Sequence, residues 1–276
     1  MGAVTYDFAG TVVAVTGAGR GLGRDIALGF ARAGADVAIC DLPAGLSALE
    51  YEPSGGAELA EVAAAAEAVG ARVCAVPVDV RSEQDVERFF AEAVRTLGRV
   101  DVLVNNAGVF VGNRPVTETT EEQWDLALDV NLKGPFFCSK HAARHMQARA
   151  GGGRIVTIAS TSALMGIPYQ IGYQSSKTGL LGQVRTLALE LAPYGVTVNA
   201  VCPTVTESPM LDFLVEQTAA YYLDEVRRLS GAFTIFPGLD ALEPQDVTNA
   251  VLWLASDAAR YVTGIALPID AGFTCK

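Results

Sequence analysis

Residues 11–23 read TVVAVTGAGRGLG, a mostly β-branched apolar run that leads straight into a glycine-rich turn. An apolar run this short fits a strand buried on both faces of a sheet. Gly17, Gly19, Gly21 and Gly23 let the backbone turn tightly and approach a pyrophosphate, whose charge the amino end of the next helix favours. A glycine cluster alone is weak evidence; the strand–turn–helix context, with Arg20 and Leu22 inside the turn, gives it weight. Asp41 ends the second apolar run, 18 residues after Gly23, with Leu42 beside it. A carboxylate there accepts hydrogen bonds from both hydroxyls of an adenosine ribose and repels a 2′-phosphate, which favours NAD over NADP. Arg20 pulls the other way, because a guanidinium pairs with phosphate. An uncompensated carboxylate beside a phosphate costs more than a flexible arginine gains.

The same kind of run recurs at 36–40, 72–78, 100–106, 154–160, 196–202 and 265–269. Helical stretches are predicted between them at Leu22–Ala33, Ala57–Val69, Glu83–Leu97, Glu121–Arg149, Tyr173–Leu191 and Gln245–Ser256. Repeated β–α–β alternation with right-handed crossovers predicts an α/β fold: one doubly wound parallel sheet, Rossmann-like, with helices on both faces. No linker interrupts it, so 1–276 is expected to be a single domain. Two segments break the rhythm. Residues 42–56 (LPAGLSALEYEPSGG) read as an insertion after the second strand. Residues 204–243 carry Phe213, Leu214, Tyr221, Tyr222, Phe233 and Phe236 and are expected to form a helical lid over a substrate pocket.

The net charge of −11 argues against nucleic acid or an anionic membrane as partner. Five cysteines without close pairs suggest neither a disulfide frame nor a zinc site, so no metal and a reducing, cytoplasmic setting are expected. The start, MGAVTYDFAG, lacks the basic and apolar regions of a signal peptide, and no apolar run is long enough to span a bilayer.

Ligands of open α/β sheets lie outside the carboxyl ends of the strands. Asp79-Val80 ends the third strand, where the aspartate can bond adenine. Asn105-Asn106-Ala107-Gly108 ends the fourth, where small residues leave room for ribose and nicotinamide. Tyr173 and Lys177, four apart in YQSSK, share one helix face, and Ser160 ends the fifth strand 13 residues before Tyr173. A phenol titrates near a pKa of about 10, so acting as a base at neutral pH requires a nearby positive charge. Lys177 and the nicotinamide of NAD+ can provide it, while Ser160, with Ser162 close by, would hold the substrate oxygen.

These motifs resemble the short-chain dehydrogenase/reductase family over essentially the whole chain: TGAGRGLG (16–23), Asp79, NNAG (105–108), Asn131 in DVNLKG, Ser160 and YQSSK (173–177). The resemblance implies Tyr173 as acid/base, Lys177 as ribose binder and tyrosine activator, and Ser160 as substrate positioner. It also implies that Asn131 binds, through a helix kink, a water linking Lys177 to a proton relay, and it implies a homotetramer. The family's usual Pro-Gly after the sixth strand is here Pro203-Thr204, and its usual threonine nearby is Ser208, which keeps the hydroxyl. The stretches YEPSGGAELAE (51–61) and AARYVTGIALPIDAGF (258–273) are similar to a subgroup that includes carveol dehydrogenases and other mycofactocin-associated alcohol dehydrogenases. That likeness implies NAD held tightly and reoxidised by a redox partner.

The expected activity is oxidation of a secondary, cyclic and apolar (terpenoid-like) alcohol to its ketone, the apolar lid and Phe213 facing the substrate. A 3-oxoacyl thioester reductase is the alternative, and Asp41 speaks against its NADPH. A non-catalytic dinucleotide-binding protein would be expected to have lost part of the set Asn131, Ser160, Tyr173 and Lys177.

Overall fold

The structure is a computed structural model that describes residues 4–43, 55–149, 151–212, 224–226, 228 and 233–275. Strand and helix alternate as β1 (Val12–Thr16), α1 (Gly21–Arg32), β2 (Asp36–Asp41), α2 (Gly56–Ala68), β3 (Val73–Pro77), α3 (Glu83–Leu97) and β4 (Val102–Asn105). The second half continues with α4 (Glu121–Leu128), α5 (Gly134–Arg149), β5 (Gly153–Ile158), α6 (Ile171–Leu191), β6 (Val196–Pro203), α7 (Pro244–Ala255) and β7 (Ala266–Ile269). The strands form one parallel, seven-stranded sheet in the order β3-β2-β1-β4-β5-β6-β7, the Rossmann-like arrangement expected. Predicted ends are off by no more than two residues.

The near-continuous hydrophobicity of the strands has a direct cause. Val13 and Val15 of β1 join one buried cluster with α1, α2 and α7, while Val12 and Ala14 join the other, with α3, α5 and α6. Side chains alternate faces along a strand, so a sheet covered on both sides needs apolar residues at every position.

The predicted helical stretch Glu121–Arg149 is not one α-helix: Asp129–Lys133 adopts π geometry between α4 and α5, where the resemblance implies a kink at Asn131. The 204–243 excursion is closed at its base by an isolated parallel bridge between Thr206 and Leu242. The tip of the expected lid, including Phe213, and insertion residues 44–54 lie outside the described residues. Among the described residues, no helix is long and apolar enough to cross a membrane.

Candidate active site

The strand order reverses between β1 and β4, and there the loops that follow the two strands are stitched together. The Thr16 hydroxyl accepts from the amides of Asn106 (3.1 Å) and Ala107 (3.0 Å). The Asn106 side-chain amide donates to the carbonyls of Thr16 (3.0 Å) and Gly17 (2.9 Å). Gly17 has φ 65°, and a Cβ on it would stand 2.7 Å from Ala107 Cα, so only glycine fits. α1 then starts at Gly21 with neither a capping side chain nor an acidic residue in its first turn. Its first amides and the positive end of its dipole are left for an anion.

Asp41 closes β2 with its carboxylate pinned by the amides of Gly19 and Leu42, both at 2.7 Å. Each oxygen keeps a lone pair for a hydroxyl donor. Asp79 is more committed, because the Arg81 guanidinium reaches both its oxygens, the shortest contact being 2.7 Å. Burial pushes the Asp79 carboxyl up, but the bonds from Arg81 outweigh it and hold the group below the ordinary carboxylate range. An adenine contact at Asp79 therefore shares the carboxylate with Arg81.

Across the same opening, the first two turns of α6 carry Tyr173 and Lys177. Lys177 is 5% exposed and donates to the Ile158 carbonyl at 2.9 Å, with its ammonium 5.7 Å from the centre of the Tyr173 ring. Burial pushes its pKa down to about 8. Tyr173 packs edge-on against Phe110, ring centres 5.2 Å apart. Ser160 follows β5 and caps a short 3₁₀ turn, its oxygen accepting from the Ser162 amide at 3.1 Å. Asn131 lies fully buried within the π segment. Its side chain clasps the Val109 backbone (2.7 and 2.9 Å) and donates to the Ser176 hydroxyl (3.1 Å), which in turn donates to the Tyr173 carbonyl (2.6 Å).

One cavity of about 310 Å³ collects these groups. Gly17, Arg20, Gly21, Leu22 and Gly23 line it, with Asp41, Leu42, Asp79 and Val80 at one end. Asn106, Ala107 and Gly108 form its middle, and Ser160, Ser162, Tyr173, Lys177, Pro203, Thr204 and Ser208 the far side. Gly19 and Asn131 are not on the wall; they hold residues that are. Phe213 lies outside the described residues. Phe233, expected in the lid, lines the wall; sequence reading missed Phe110, Ile167 and Gln170 there, and gave no role to Thr16 and Ser176 behind it. Both had a readable signal: Thr16 opens the glycine motif, and Ser176 lies three residues after Tyr173 on the same helix face.

The family model described as "Enoyl-(Acyl carrier protein) reductase" matches residues 17–274. A (-)-trans-carveol dehydrogenase of Rhodococcus erythropolis is 34% identical, over 97% of this chain and 98% of that protein. The chain belongs to the short-chain dehydrogenase/reductase family. The solved structure of a carveol dehydrogenase from Mycobacterium avium in complex with NAD superposes with a TM-score of 0.90 at 32% identity, covering 99% of this chain and 100% of that one. A short chain dehydrogenase from Mycobacterium paratuberculosis bound to NAD gives 0.91 at 32% identity, covering 98% and 100%. This short-chain dehydrogenase/reductase departs from its family's usual Pro-Gly at Thr204, and the structure shows what the threonine does. Its amide donates to Ile269 (3.1 Å) and its buried hydroxyl to the Phe233 carbonyl (3.1 Å), tying the end of β6 to the far end of the excursion.

Proposed function

We propose that this NAD-dependent oxidoreductase interconverts a secondary, cyclic and apolar alcohol with its ketone. The observation that carries the reading is a single cavity shared by the glycine turn, Asp41, Ser160, Tyr173 and Lys177, with an apolar wall of Phe110, Ile167, Met210, Leu211 and Phe233. The cradle suits a dinucleotide: uncapped helix amides for the pyrophosphate, Asp41 for the ribose, and a floor at Gly17 and Ala107 on which a Cβ would collide. NAD+, when bound, supplies the two-electron acceptor for the hydride that leaves the carbinol carbon. Tyr173 takes the hydroxyl proton in that direction and returns it to the carbonyl oxygen in the other. Ser160 orients that oxygen by hydrogen bond.

Lys177 stabilises the tyrosinate electrostatically and reaches the nicotinamide ribose, and Asn131 keeps the helix carrying both in register through Ser176. Ser208, on the cavity wall, would hold the nicotinamide carboxamide. The likeness of residues 51–61 to the mycofactocin-associated subgroup supports a further step, in which NAD stays bound and a redox partner reoxidises it in place. The test is a panel of cyclic secondary alcohols assayed with added NAD+ and, separately, with an artificial electron acceptor, alongside mass identification of dinucleotide released by denaturation. NAD(H) on the protein and turnover of apolar ring alcohols are expected. A preference for NADP, or undiminished turnover by Tyr173→Phe, refutes the reading.

A further inference from the structure

Beside Ser160 the cavity carries a polar chain that hydride and proton transfer do not use. Ser160 Oγ donates to Ser162 Oγ (3.3 Å), and Ser162 Oγ donates to Gln170 Oε1 (3.4 Å). Ser162 is buried and Gln170 half-buried, and both line the cavity. With its oxygen taken by Ser162, Gln170 keeps on the cavity wall an amide NH2 that makes no hydrogen bond among the described residues. When Ser160 donates to a substrate oxygen instead, Ser162 keeps its bond to Gln170, so the orientation of the amide survives binding.

The backbone holds Gln170 there at a cost. Tyr169 sits at φ 66°, a left-handed conformation that a bulky side chain rarely adopts. The Arg114 amide fastens it by donating to the Tyr169 carbonyl at 2.8 Å. The preceding loop is tied to α6 through Gln174, whose side chain accepts from the Ile167 amide (2.8 Å) and donates to the Met165 carbonyl (3.2 Å). A strained residue next to a fastened amide at a cavity wall is how a binding contact is preorganised. Phe110, Ile167 and Phe233 on the same wall are apolar, so beyond Ser160 and Tyr173 the amide is a group that can discriminate there.

We propose that Gln170 makes this site select ring substrates bearing a second oxygen, such as a cyclic diketone or hydroxy-ketone, by donating an amide hydrogen bond to that oxygen. The inference rests on the ketone–alcohol reading above. The two contacts and the width of an amide place the donor within roughly 9 Å of Ser160 Oγ, a span that one substituted ring bridges. The reacting carbonyl carbon takes the hydride from NADH and its oxygen the proton from Tyr173; the second oxygen is bound and unchanged.

The test is reduction of cyclohexane-1,4-dione against cyclohexanone by NADH, following kcat/KM for each in the wild type, Gln170→Met and Gln170→Glu. The ratio does not depend on the active fraction of a variant. The wild type is expected to favour the dione by about tenfold or more, the value of one hydrogen bond at a site built for it. Gln170→Met should lower the ratio several-fold, toward the factor of about two that two equivalent carbonyls give by statistics, and Gln170→Glu should lower it further, because a carboxylate repels the second carbonyl. A wild-type ratio near one, or one that Gln170→Met leaves unchanged, overturns the proposal and leaves the ketone reading intact. If neither ketone oxidises NADH, nor binds NADH-loaded protein by calorimetry, the ketone reading fails and this proposal falls with it.

Discussion

Burial of the Lys177 ammonium carries a cost that its proposed role would explain, and that cost can be measured. The ammonium is 5% exposed and burial lowers its pKa from 10.5 to about 8. At pH 7 it is still protonated in both folded and unfolded chains, and the charged form carries a burial cost of about 3 kcal/mol. Lys177→Met replaces the stem with an apolar one and removes that cost. It also leaves the Ile158 carbonyl without its 2.9 Å donor, a loss of about 1–2 kcal/mol. The cofactor-free variant should therefore be more stable than wild type by about 1–2 kcal/mol at pH 7, while losing tyrosine activation and ribose binding.

The pH dependence separates this cause from ordinary repacking. A lysine whose folded pKa lies below its unfolded value binds fewer protons folded than unfolded between those two values. Stability of the wild type then rises with pH across that window, from about 8 to 10.5. The advantage of Lys177→Met should fall by about 3 kcal/mol over the same interval and so reverse in favour of wild type at its upper end. Cys202, close enough to Lys177 to interact and pushed up to about 11 by burial, titrates in the opposite sense. Lys177 itself acts on Cys202, so the two proteins differ there near pH 11; up to pH 10 the folded thiol stays protonated in both and its contribution cancels in the difference. Guanidinium unfolding of NAD-stripped protein at pH 7, 8, 9 and 10 reads the gap directly. A gap that stays flat with pH, or a variant less stable than wild type at pH 7, refutes the reasoning.

Asp41→Ala should weaken NADH binding by about tenfold or more, as befits the loss of charge-assisted bonds, and should raise NADP affinity with Arg20 beside it; fluorescence titration with both cofactors checks this. Gly23→Ala would put a Cβ 2.0 Å from the Gly17 carbonyl oxygen, so the turn must open, and NADH affinity should fall at least about tenfold in the same titration. Phe273→Ala empties a fully buried position against Phe233, ring centres 5.4 Å apart, and should cost about 3 kcal/mol. Its kinetic signature should be a raised KM for apolar alcohols with NADH affinity kept, since the cluster it shares with Ile167 and Phe233 backs the substrate wall and not the cofactor groove.

The parts of this site that were legible in the sequence are those whose chemistry demands a local spacing. A phenol and an ammonium that must meet on one helix face appear four residues apart, and a turn that must admit a phosphate appears as glycines after an apolar run. The β–α alternation was readable for the same reason, since each strand or helix carries its own period. The π segment was legible only through the resemblance, which implied a helix kink at Asn131; its composition is ordinary for a helix, and its partner, the Val109 backbone clasped by Asn131, lies 22 residues away.

The substrate wall fails this test of locality throughout. Thr204 reaches the Phe233 backbone across 29 residues, Phe273 at the end of the chain packs with Ile167 and Phe233, and Gln170 is aimed by a strained Tyr169 that nothing in its residue type announces. Contacts to backbone carbonyls add a further difficulty, because a carbonyl has no residue type and leaves no mark in a sequence. Reaction class and substrate choice are thus written at different ranges along this chain. The groups proposed to move a proton and hold a dinucleotide are set by neighbours within a helix or a turn. Those proposed to face the substrate come, beside Phe110, from three separate segments, around 167–170, 204–211 with Phe233, and Phe273. A substitution in any of the three can therefore change the substrate while the glycine turn and the Tyr173–Lys177 pair stay as they are. That separation is why the ratio of two ketones at Gln170 is a sharper probe of this protein than the rate with either.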